Sequence, residues 1–393
     1  MLSQNIHDKI AKSSWIRAMF EEGEKLRKIH GADKVYDFSL GNPDYEPPAE
    51  VKAALRKYAN GAGLGLHRYM SNAGYPDVRE KIAAKVSEEC NRPLTPNHII
   101  MTSGAAGGLN VVLKAILNPG DEVIVLAPFF VEYLFYIENH GGKPVVVQTD
   151  PRTFEPSLAA LEQSITPKCK AIILNSPNNP TGVIYSEETL KQLSALLASK
   201  EKEFQSEILV ISDEPYSKIV YEDARVPQIL KLFSHSVLVN SYSKSLAIPG
   251  ERIGYIAVSP AIDNADLFIN GLIFAHRTLG FVNAPALFQK IVGDSLDAAV
   301  NTEEYQNRRD YLYEKLTELG YSCVKPQGAF YLFPQSLIPD DIEFTKRALK
   351  HNLLLVPGSG FGCPGHFRLA YCVDFTTIKN SIPAFEALAK EFR

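Results

Sequence analysis

Seven short apolar runs rich in Val and Ile recur between positions 98 and 258. They read HIIMT, EVIVLA, PVVVQ, AIILN, ILVIS, SVLVN and RIGYIAV. Both alternating faces of these runs are largely apolar, which is typical of strands buried on both sides. Helical patterns such as GGLNVVLKAIL and SEETLKQLSALLASK lie between several of them. Strands that alternate with helices predict an α/β fold, with a seven-stranded, mostly parallel sheet between helices.

The two ends of the chain have a different pattern. Ile6, Ile10, Ile16 and Phe20 have helical spacing, which predicts an amphipathic helix from residue 3 to about residue 29. A second helix is predicted over residues 50–58. A long helical stretch over residues 284–319 precedes the short apolar segments FYLF and LLLVPG, and this pattern indicates a smaller α+β domain.

The length of 393 residues favours two domains over one core. We predict an N-terminal segment over residues 1–45 that joins the small domain. A large ligand-binding domain is predicted over residues 46–283, and the small C-terminal domain over residues 284–393.

The charge and the terminal pattern exclude several classes of protein. A formal net charge of −4 argues against a nucleic-acid partner, because nucleic-acid phosphates bind a positively charged surface. The N-terminus lacks a secretory pattern, and no apolar run approaches the roughly 18 residues of a membrane span. The five cysteines are scattered without a C-x-x-C pair, so neither a disulfide framework nor a metal site is expected. We expect a cytoplasmic protein with no membrane partner.

Polar residues directly follow four of the apolar runs. In an open parallel sheet, ligands bind beyond the carboxyl ends of the strands. HIIMT is followed by Ser103, Gly104, Ala105 and Ala106 and then by a helical pattern. Small residues let backbone amides approach an anion, and the helix N-terminus adds positive charge. The segment is either a phosphate site or a tight structural turn.

AIILN and ILVIS lead into the second and third polar segments. Pro and Gly in SPNNPTG indicate a rigid turn, which could hold the amide of Asn179 toward a ligand or be only a turn. ILVIS is followed by Asp213 and, three residues on, Tyr216. A carboxylate at the end of a buried strand needs a cationic partner, unless it is the N-cap of a helix.

The run SVLVN leads into Ser241, Ser243 and Lys244, with Arg252 eight residues further on. Hydroxyls, an amine and a guanidinium suit a phosphate beside a reactive amine. The alternative is a solvent-exposed lysine on a loop. Together the four segments supply an anion site, an amide, an acid and a lysine at one edge of one sheet.

These residues, in this order, resemble a known family. PNNPTG, Asp-x-x-Tyr, Ser-x-Ser-Lys and an Arg eight residues later resemble the class I/II aminotransferases of pyridoxal-phosphate (PLP) fold type I. The flanking segments LGNP at 40–43, YMSNAG at 69–74, PFF at 128–130 and FRL at 367–369 also match. The resemblance covers roughly residues 35 to 390.

The resemblance implies that pyridoxal 5'-phosphate is the cofactor. Lys244 would be joined to its aldehyde and would move the α-proton of the substrate. Asp213 would face the ring nitrogen and keep it protonated. Asn179 and Tyr216 would hydrogen-bond the phenolic oxygen, and Phe130 would stack on the ring.

The resemblance also implies the rest of the site. The cofactor phosphate would be held by the residues 103–106, by Ser241 and Ser243, by Arg252, and by Tyr69 from the second subunit of a homodimer. Arg368 would bind the substrate carboxylate in two parallel bonds, with Gly41 and Asn179 beside it. An amino acid and a 2-oxo acid would then exchange an amino group in ping-pong order.

Two departures bear on specificity. Ala106 stands where some aspartate-specific relatives carry a lysine that binds the distal carboxylate of the substrate. The alanine argues against aspartate specificity. Arg277 of the partner subunit is a candidate for binding that distal carboxylate, or else it forms a structural salt bridge. His67 and Phe274 are further pocket candidates.

Other functions remain open at this stage. A C–S β-lyase or another fold type I enzyme would keep the cofactor and break a different bond. A regulator on the same scaffold would need an added DNA-binding segment. A nicotinamide-dependent dehydrogenase lacks support, because G-x-G-x-x-G is missing and Tyr242 lies two residues from Lys244 rather than four.

Overall fold

A seven-stranded sheet forms the centre of the protein in the computed structural model, which describes residues 1–12, 15–61 and 65–392. The helices are α1 Gln4–Lys12, α2 Trp15–His30, α3 Ala49–Ala59, α4 Pro76–Cys90, α5 Gly104–Ile116, α6 Glu132–Asn139, α7 Leu158–Ser164, α8 Glu187–Phe204, α9 Ile229–Leu232, α10 Ala265–Thr278, α11 Ala286–Gly293, α12 Thr302–Glu318, α13 Asp341–Lys350 and α14 Phe375–Lys390. The strands are β1 Tyr36–Asp37, β2 Ile99–Thr102, β3 Glu122–Ala127, β4 Lys143–Gln148, β5 Cys169–Asn175, β6 Leu209–Asp213, β7 Ser236–Ser241, β8 Gly254–Val258, β9 Tyr331–Leu332, β10 Leu353–Leu354, β11 Val356–Pro357 and β12 Phe367–Ala370.

The large sheet has the strand order β2-β8-β7-β6-β5-β3-β4. Strand β8 is antiparallel to both of its neighbours, and the remaining pairs are parallel. All seven apolar runs named above form strands of this sheet, so the predicted sheet is confirmed. Buried residues on its two faces belong to different core clusters, as Ile172 and Ile173 on β5 show. Helices therefore cover both faces.

The register of the sheet brings its polar ends together. Asn175 at the end of β5 lies opposite Asp213 at the end of β6, and Asp213 lies opposite Val239 on β7. Gly254, the first residue of β8, lies opposite both Thr102 and Ser241. All four predicted polar segments consequently start from one edge of the sheet.

Helix α8 illustrates how the local sequence forms the covering layers. The Ser186 side chain caps its N-terminus by accepting a hydrogen bond from the amide of Thr189. Leu190, Leu193 and Leu197 recur at helical spacing and are buried. Each such leucine contributes about 1.5–3 kcal/mol on burial, which is enough to hold the helix against the sheet.

A second group of short strands lies in the C-terminal part of the chain. Strands β11, β12 and β9 form an antiparallel sheet, and β1 pairs in parallel with β10. Phe38 shares a buried core cluster with Phe330, Phe344 and Phe385, so the N-terminal segment packs with the C-terminal one. The domain boundaries at residues 45 and 283 stay a prediction.

One helix prediction is wrong. The N-terminal stretch is helical over Gln4–Lys12 and Trp15–His30, as predicted, and residues 13 and 14 lie outside the described residues. The stretch over residues 284–319, however, is interrupted between α11 and α12. The Asp294 carboxylate accepts hydrogen bonds from Lys57, Tyr58 and Lys81, which pins the end of α11 to α3 and α4. The side chain of Asn301 then caps α12.

The second helix, predicted over residues 50–58, is confirmed as α3. In the part of the chain that the structure describes, every helix is too short or too polar to span a bilayer.

Gly254 lies where strand β8 packs closely against backbone atoms of β7 and of the turn at Gly104. A Cβ there would overlap the carbonyl oxygen of Asn240 and lie 3.0 Å from the carbonyl carbon of Gly104. Because both neighbours are backbone, we expect Gly254→Ala to lower the free energy of unfolding by about 1–3 kcal/mol, measured by urea denaturation.

Gly271→Ala is the matched control for this substitution. Gly271 lies in α10, is exposed, and has no atom within 4 Å of an added Cβ. The alanine there should raise stability by up to about 1 kcal/mol through helix propensity. Equal stability of Gly254→Ala and the parent protein would contradict the close approach of β8 to the Gly104 turn.

Candidate active site

A cavity of about 250 Å³ lies at the polar edge of the sheet. Its walls contain most of the residues predicted from the sequence: Gly41, Ala105, Ala106, Phe130, Asn179, Asp213, Tyr216, Ser241, Ser243, Lys244, Arg252 and Arg368. A larger cavity of about 510 Å³ lies behind the turn at residues 214–218 and includes Glu214 and Lys218. We take the smaller cavity as the candidate site because it unites the four polar segments.

Lys244 supplies an amine inside this cavity. Its Nζ donates a hydrogen bond to the carbonyl oxygen of Gly41 at 2.7 Å. Burial lowers the pKa of Lys244 to about 8; a Cys372 thiolate would oppose this shift, and repulsion by Arg368 and Arg252 adds to it. Since a neutral amine is a nucleophile and a proton acceptor, Lys244 suits covalent chemistry near neutral pH.

Asp213 supplies a buried carboxylate to the same cavity. Its Oδ2 accepts a hydrogen bond from the Tyr133 hydroxyl at 2.5 Å, whereas its Oδ1 is buried and has no partner among the described residues. Burial raises the pKa of Asp213 to about 6, partly offset by the Tyr133 hydrogen bond. Turns rather than a helix follow β6, so the helix N-cap alternative for Asp213 is wrong. A buried acid with an open oxygen suits a cationic ligand group.

Asn175, which the sequence analysis missed, orders two of these residues. Its side-chain nitrogen donates to the backbone oxygen of Asp213 at 2.8 Å. Its side-chain oxygen accepts from the backbone amide of Asn179, also at 2.8 Å. Asn175 ends an apolar run, and a polar residue at a strand terminus was the signal that could have found it.

Arg368 is a buried cation at the other side of the cavity. It donates to Oδ1 of Asn179 at 3.1 Å and to the carbonyl oxygen of Ser39 at 2.6 Å, and neither acceptor is charged. Its guanidinium lies close to the rings of Tyr331 and Phe361, 4.8 and 4.9 Å from their centroids. Burial lowers its pKa, and its Nε is buried without a partner among the described residues. Such a group is ready to bind a carboxylate.

Tyr331 is a second cavity residue that the sequence analysis missed. Its hydroxyl lies 2.9 Å from the Tyr216 hydroxyl. A Cβ at Gly41 would overlap the Tyr331 hydroxyl, which explains why a glycine stands there. The segment FYLF carries no signal for this role, because its pattern is that of an ordinary buried strand.

The remaining part of the cavity favours an anion. Ala105 and Ala106 lie in the first turn of α5, where backbone amides and the helix dipole attract negative charge. Arg252 lies against this turn, since a Cβ at Gly104 would be 3.0 Å from its Nη2. Ser241 and Ser243 add hydroxyls to the same wall.

Several predicted residues lie away from the cavity walls. Ser103 precedes α5 as its N-cap residue, and Gly104 is the first residue of the helix. Tyr69 is 94% exposed and lies with His67 in a separate depression. The Arg277 guanidinium lies 5.3 Å from the ring centroid of Phe274 on α10. The assignment of Tyr69 to a partner's site stays a prediction.

Comparison with known proteins decides the family. The family model for aminotransferase class I and II matches residues 33–385. The chain belongs to this family. An aminotransferase moves an amino group between an amino acid and a 2-oxo acid, so the predicted reaction class is confirmed.

Individual relatives agree with this assignment. A probable aspartate/prephenate aminotransferase of Thermus aquaticus is 34% identical, over 98% of each chain. An aspartate aminotransferase of Thermotoga maritima is 32% identical, over 91% of this chain and 92% of its own. Neither is named as a β-lyase.

Solved structures confirm the predicted fold class. An amino transferase of Eubacterium rectale superposes with a TM-score of 0.97 at 39% identity and covers 100% of this chain and 99% of its own. Aspartate aminotransferase of Thermus thermophilus with maleate has a TM-score of 0.87 at 31% identity, and 99% of each chain is covered.

The raised pKa of Asp213 makes stability depend on pH in the cofactor-free protein. The folded state holds this proton more tightly than the unfolded state, so Asp213 lowers the free energy of unfolding as pH rises from about 4 to about 6. Asp213→Asn removes the charge and keeps the shape. We expect it to raise the free energy of unfolding at pH 7.5 by on the order of 2–3 kcal/mol, and much less at pH 4.

Urea denaturation of the cofactor-free protein at both pH values measures this difference. Asp223→Asn, at an exposed aspartate, serves as the control and should leave the free energy of unfolding within about 0.5 kcal/mol of the parent's. An Asp213→Asn variant less stable than the parent at pH 7.5 would mean that the carboxylate has a partner in the folded protein.

Proposed function

We propose that this aminotransferase binds PLP in the cavity at the polar edge, with Lys244 as the residue joined to the cofactor. The observation that carries the proposal is one cavity that holds a half-buried amine and, separately, a buried carboxylate oxygen without a partner among the described residues. PLP has an aldehyde, a ring nitrogen that can be protonated, and a phosphate. The residues present fit all three groups.

PLP, when bound, supplies an aldehyde that carries the amino group and a ring that accepts the electron pair of the substrate α-carbon. Oδ1 of Asp213 would hold a proton on the ring nitrogen, and the resulting ion pair would keep the carboxylate ionised despite its burial. Tyr133 would hold Asp213 in place through the other oxygen. Tyr216 and Asn179 would donate to the phenolic oxygen of the ring, and Phe130 would stack on its face.

The anion-binding wall would hold the phosphate. The amides of Ala105 and Ala106, the hydroxyls of Ser241 and Ser243, and the guanidinium of Arg252 are all at this wall. The Arg252 guanidinium can form two parallel hydrogen bonds to the phosphate, and the neutral donors add more. Together they would hold the cofactor in one position and increase its affinity.

Arg368 would bind the substrate carboxylate. The two aromatic rings beside its guanidinium, with its hydrogen bonds to Asn179 and Ser39, restrict how the group can turn. A carboxylate in the plane of the guanidinium would accept two parallel bonds, which places the α-carbon at a defined point over the cofactor ring. The Lys244 amine, which lines the same cavity, would move the proton at the α-carbon.

The lining of the cavity favours a donor whose side chain is uncharged. The three cations in the cavity wall, Lys244, Arg252 and Arg368, already have proposed roles with the cofactor or the substrate carboxylate. Leu40 and Tyr331 line the same cavity and offer apolar surface to a substrate side chain. Aspartate, which the names of the relatives mention, has a second carboxylate that needs a further cation, and the described residues of one chain place none in the cavity wall beyond those three. The substrate pair we propose is therefore an amino acid with an apolar or aromatic side chain and a 2-oxo acid.

We also propose a homodimer with shared active sites. Tyr69, Phe274 and Leu267 are large side chains with exposed fractions of 94%, 58% and 73%. Contact with a second copy would bury such side chains and favour association. In that dimer Tyr69 would reach the phosphate of the partner's cofactor.

The pH dependence of cofactor capture tests the role of Lys244. Only the neutral amine attacks an aldehyde, so the rate constant for covalent capture of PLP by the cofactor-free protein should rise with pH and level off above about 8. Lys244→Ala should abolish both borohydride-stable capture and transamination. Stopped-flow absorbance and mass spectrometry after reduction provide the measurements.

Lys218→Ala is the matched control for this experiment. Burial lowers the pKa of Lys218 to about 8 as well, but Lys218 lines the larger cavity behind the turn. Its variant should retain capture with the parent's pH profile. Capture that survives in Lys244→Ala and disappears in Lys218→Ala would overturn the assignment.

Exchanging the two arginines for lysine separates the proposed carboxylate and phosphate sites. Arg368→Lys should raise KM for both the amino acid and the 2-oxo acid by about 10-fold to 100-fold, because a lysine cannot form the two parallel bonds. Its affinity for PLP should be unchanged. Arg252→Lys should show the reverse, with weaker PLP binding and unchanged KM at saturating PLP.

Steady-state kinetics with phenylalanine and with aspartate as donors measures these effects. Phenylalanine should have the higher kcat/KM in the parent protein. An Arg368→Lys variant that loses PLP and keeps its KM values would show that the two arginines have been assigned to the wrong groups.

A further inference from the structure

Three potential metal ligands meet at the edge of the large sheet opposite the cavity. Glu207 precedes β6, His235 precedes β7, and Asp263 follows β8. Because β8 is antiparallel to β7, its carboxyl end lies beside the amino ends of β6 and β7. One candidate ligand atom from each of the three residues lies within 4.8 Å of the other two.

The backbone around this cluster is held by the sheet. The amide of Val210 donates to the carbonyl oxygen of His235 at 2.9 Å. The amide of Ser259 donates to the carbonyl oxygen of Ser236 at 3.0 Å. The three loops therefore start from fixed points, and the approach of their side chains does not depend on one long flexible segment.

His235 is oriented by a fourth residue outside the cluster. Its Nδ1 lies 2.8 Å from Oε1 of Glu201 on α8, and the same oxygen accepts a hydrogen bond from the amide of Ile208 at 2.8 Å. With Nδ1 engaged, Nε2 is the ring nitrogen left for a ligand. A carboxylate behind a histidine that ligates a metal fixes its tautomer and raises its basicity, and it recurs in metal sites.

We propose that Glu207, His235 and Asp263 bind one divalent transition-metal ion, for which Zn²⁺ is the probe. One imidazole and two carboxylates are a suitable ligand set for Zn²⁺, Co²⁺ and Mn²⁺. Two carboxylates also balance the charge of the ion. Ligand atoms around tetrahedral zinc are about 3.4 Å apart, and the exposed side chains of Glu207 and Asp263 can rotate to reach that spacing.

The surface around the three residues has room for a metal ion, but it also carries one positive charge. The three residues line a depression of about 270 Å³, so water or another ligand can complete the coordination. Lys170 lines the same depression, and its charge repels a cation. Removal of that charge should therefore strengthen metal binding.

The bound ion would have a structural effect rather than a catalytic one. It would join the loops before β6 and β7 to the loop after β8, at the end of the sheet away from Lys244. Binding to the folded state alone stabilises it, so the melting temperature should rise with Zn²⁺ concentration. Transamination should proceed without the ion.

Titration of the PLP-loaded protein with Zn²⁺, after removal of bound metal with a chelator, tests the proposal. Calorimetry should show one Zn²⁺ per chain at this site and a rise in melting temperature. Both His235→Ala and Asp263→Asn should weaken binding at least 10-fold, and Lys170→Ala should tighten it several-fold. Transamination should be unchanged in all three variants.

His351→Ala is the matched control. His351 is paired with Glu391 at 2.6 Å and is half-buried like His235, but it lies outside the three-residue cluster. Its variant should bind Zn²⁺ as the parent does. Asp263 is exposed, so Asp263→Asn keeps the test valid if His235→Ala unfolds. Zn²⁺ binding that neither variant weakens, or no binding near one ion per chain, overturns the proposal.

Discussion

The site depends on three ionisable side chains that have no charged partner among the described residues. Asp213 and Arg368 are buried, and Lys244 is half-buried. Asp213, Lys244 and Arg368 lose water on folding and gain only neutral hydrogen-bond partners. Removing a charge from water in this way is costly and shifts its pKa toward the neutral form. The three groups face one cavity. There the proposed cofactor and substrate would supply a protonated ring nitrogen for Asp213, a carboxylate for Arg368 and an aldehyde for Lys244.

The same residues connect the two ends of the chain to the large sheet. Lys244 bonds to Gly41 near the N-terminus, and Tyr216 near the sheet edge meets Tyr331 in the C-terminal part. Arg368 joins Ser39 to Asn179. Because these contacts belong to the residues that would hold cofactor and substrate, ligand binding and the relative position of the two parts of the molecule are linked.

The sequence predicted that Asp213 and Lys244 lie close together, and both line one cavity in the structure. Residues that follow buried parallel strands meet at one edge, so Asp213 and Lys244 could be placed together without coordinates. Residues that approach from elsewhere carried no such signal. Tyr133 and Tyr331 have the pattern of ordinary buried aromatic residues, and only the packing of α6 and β9 brings their hydroxyls to the cavity. The cluster of Glu207, His235 and Asp263 is likewise spread over three loops with no motif.

The sequence by itself determined the seven strands and the edge of the sheet at which the polar residues meet, since both follow from local periodicity. It also indicated the family, since the motifs lie within short segments. Only the tertiary structure decided where the helices over residues 284–319 break, because the ion pairs of Asp294 with Lys57 and Lys81 join segments far apart in the chain. It also decided the protonation of the site. Burial sets the pKa of Asp213 and Lys244, and burial is a property of the folded protein rather than of any residue.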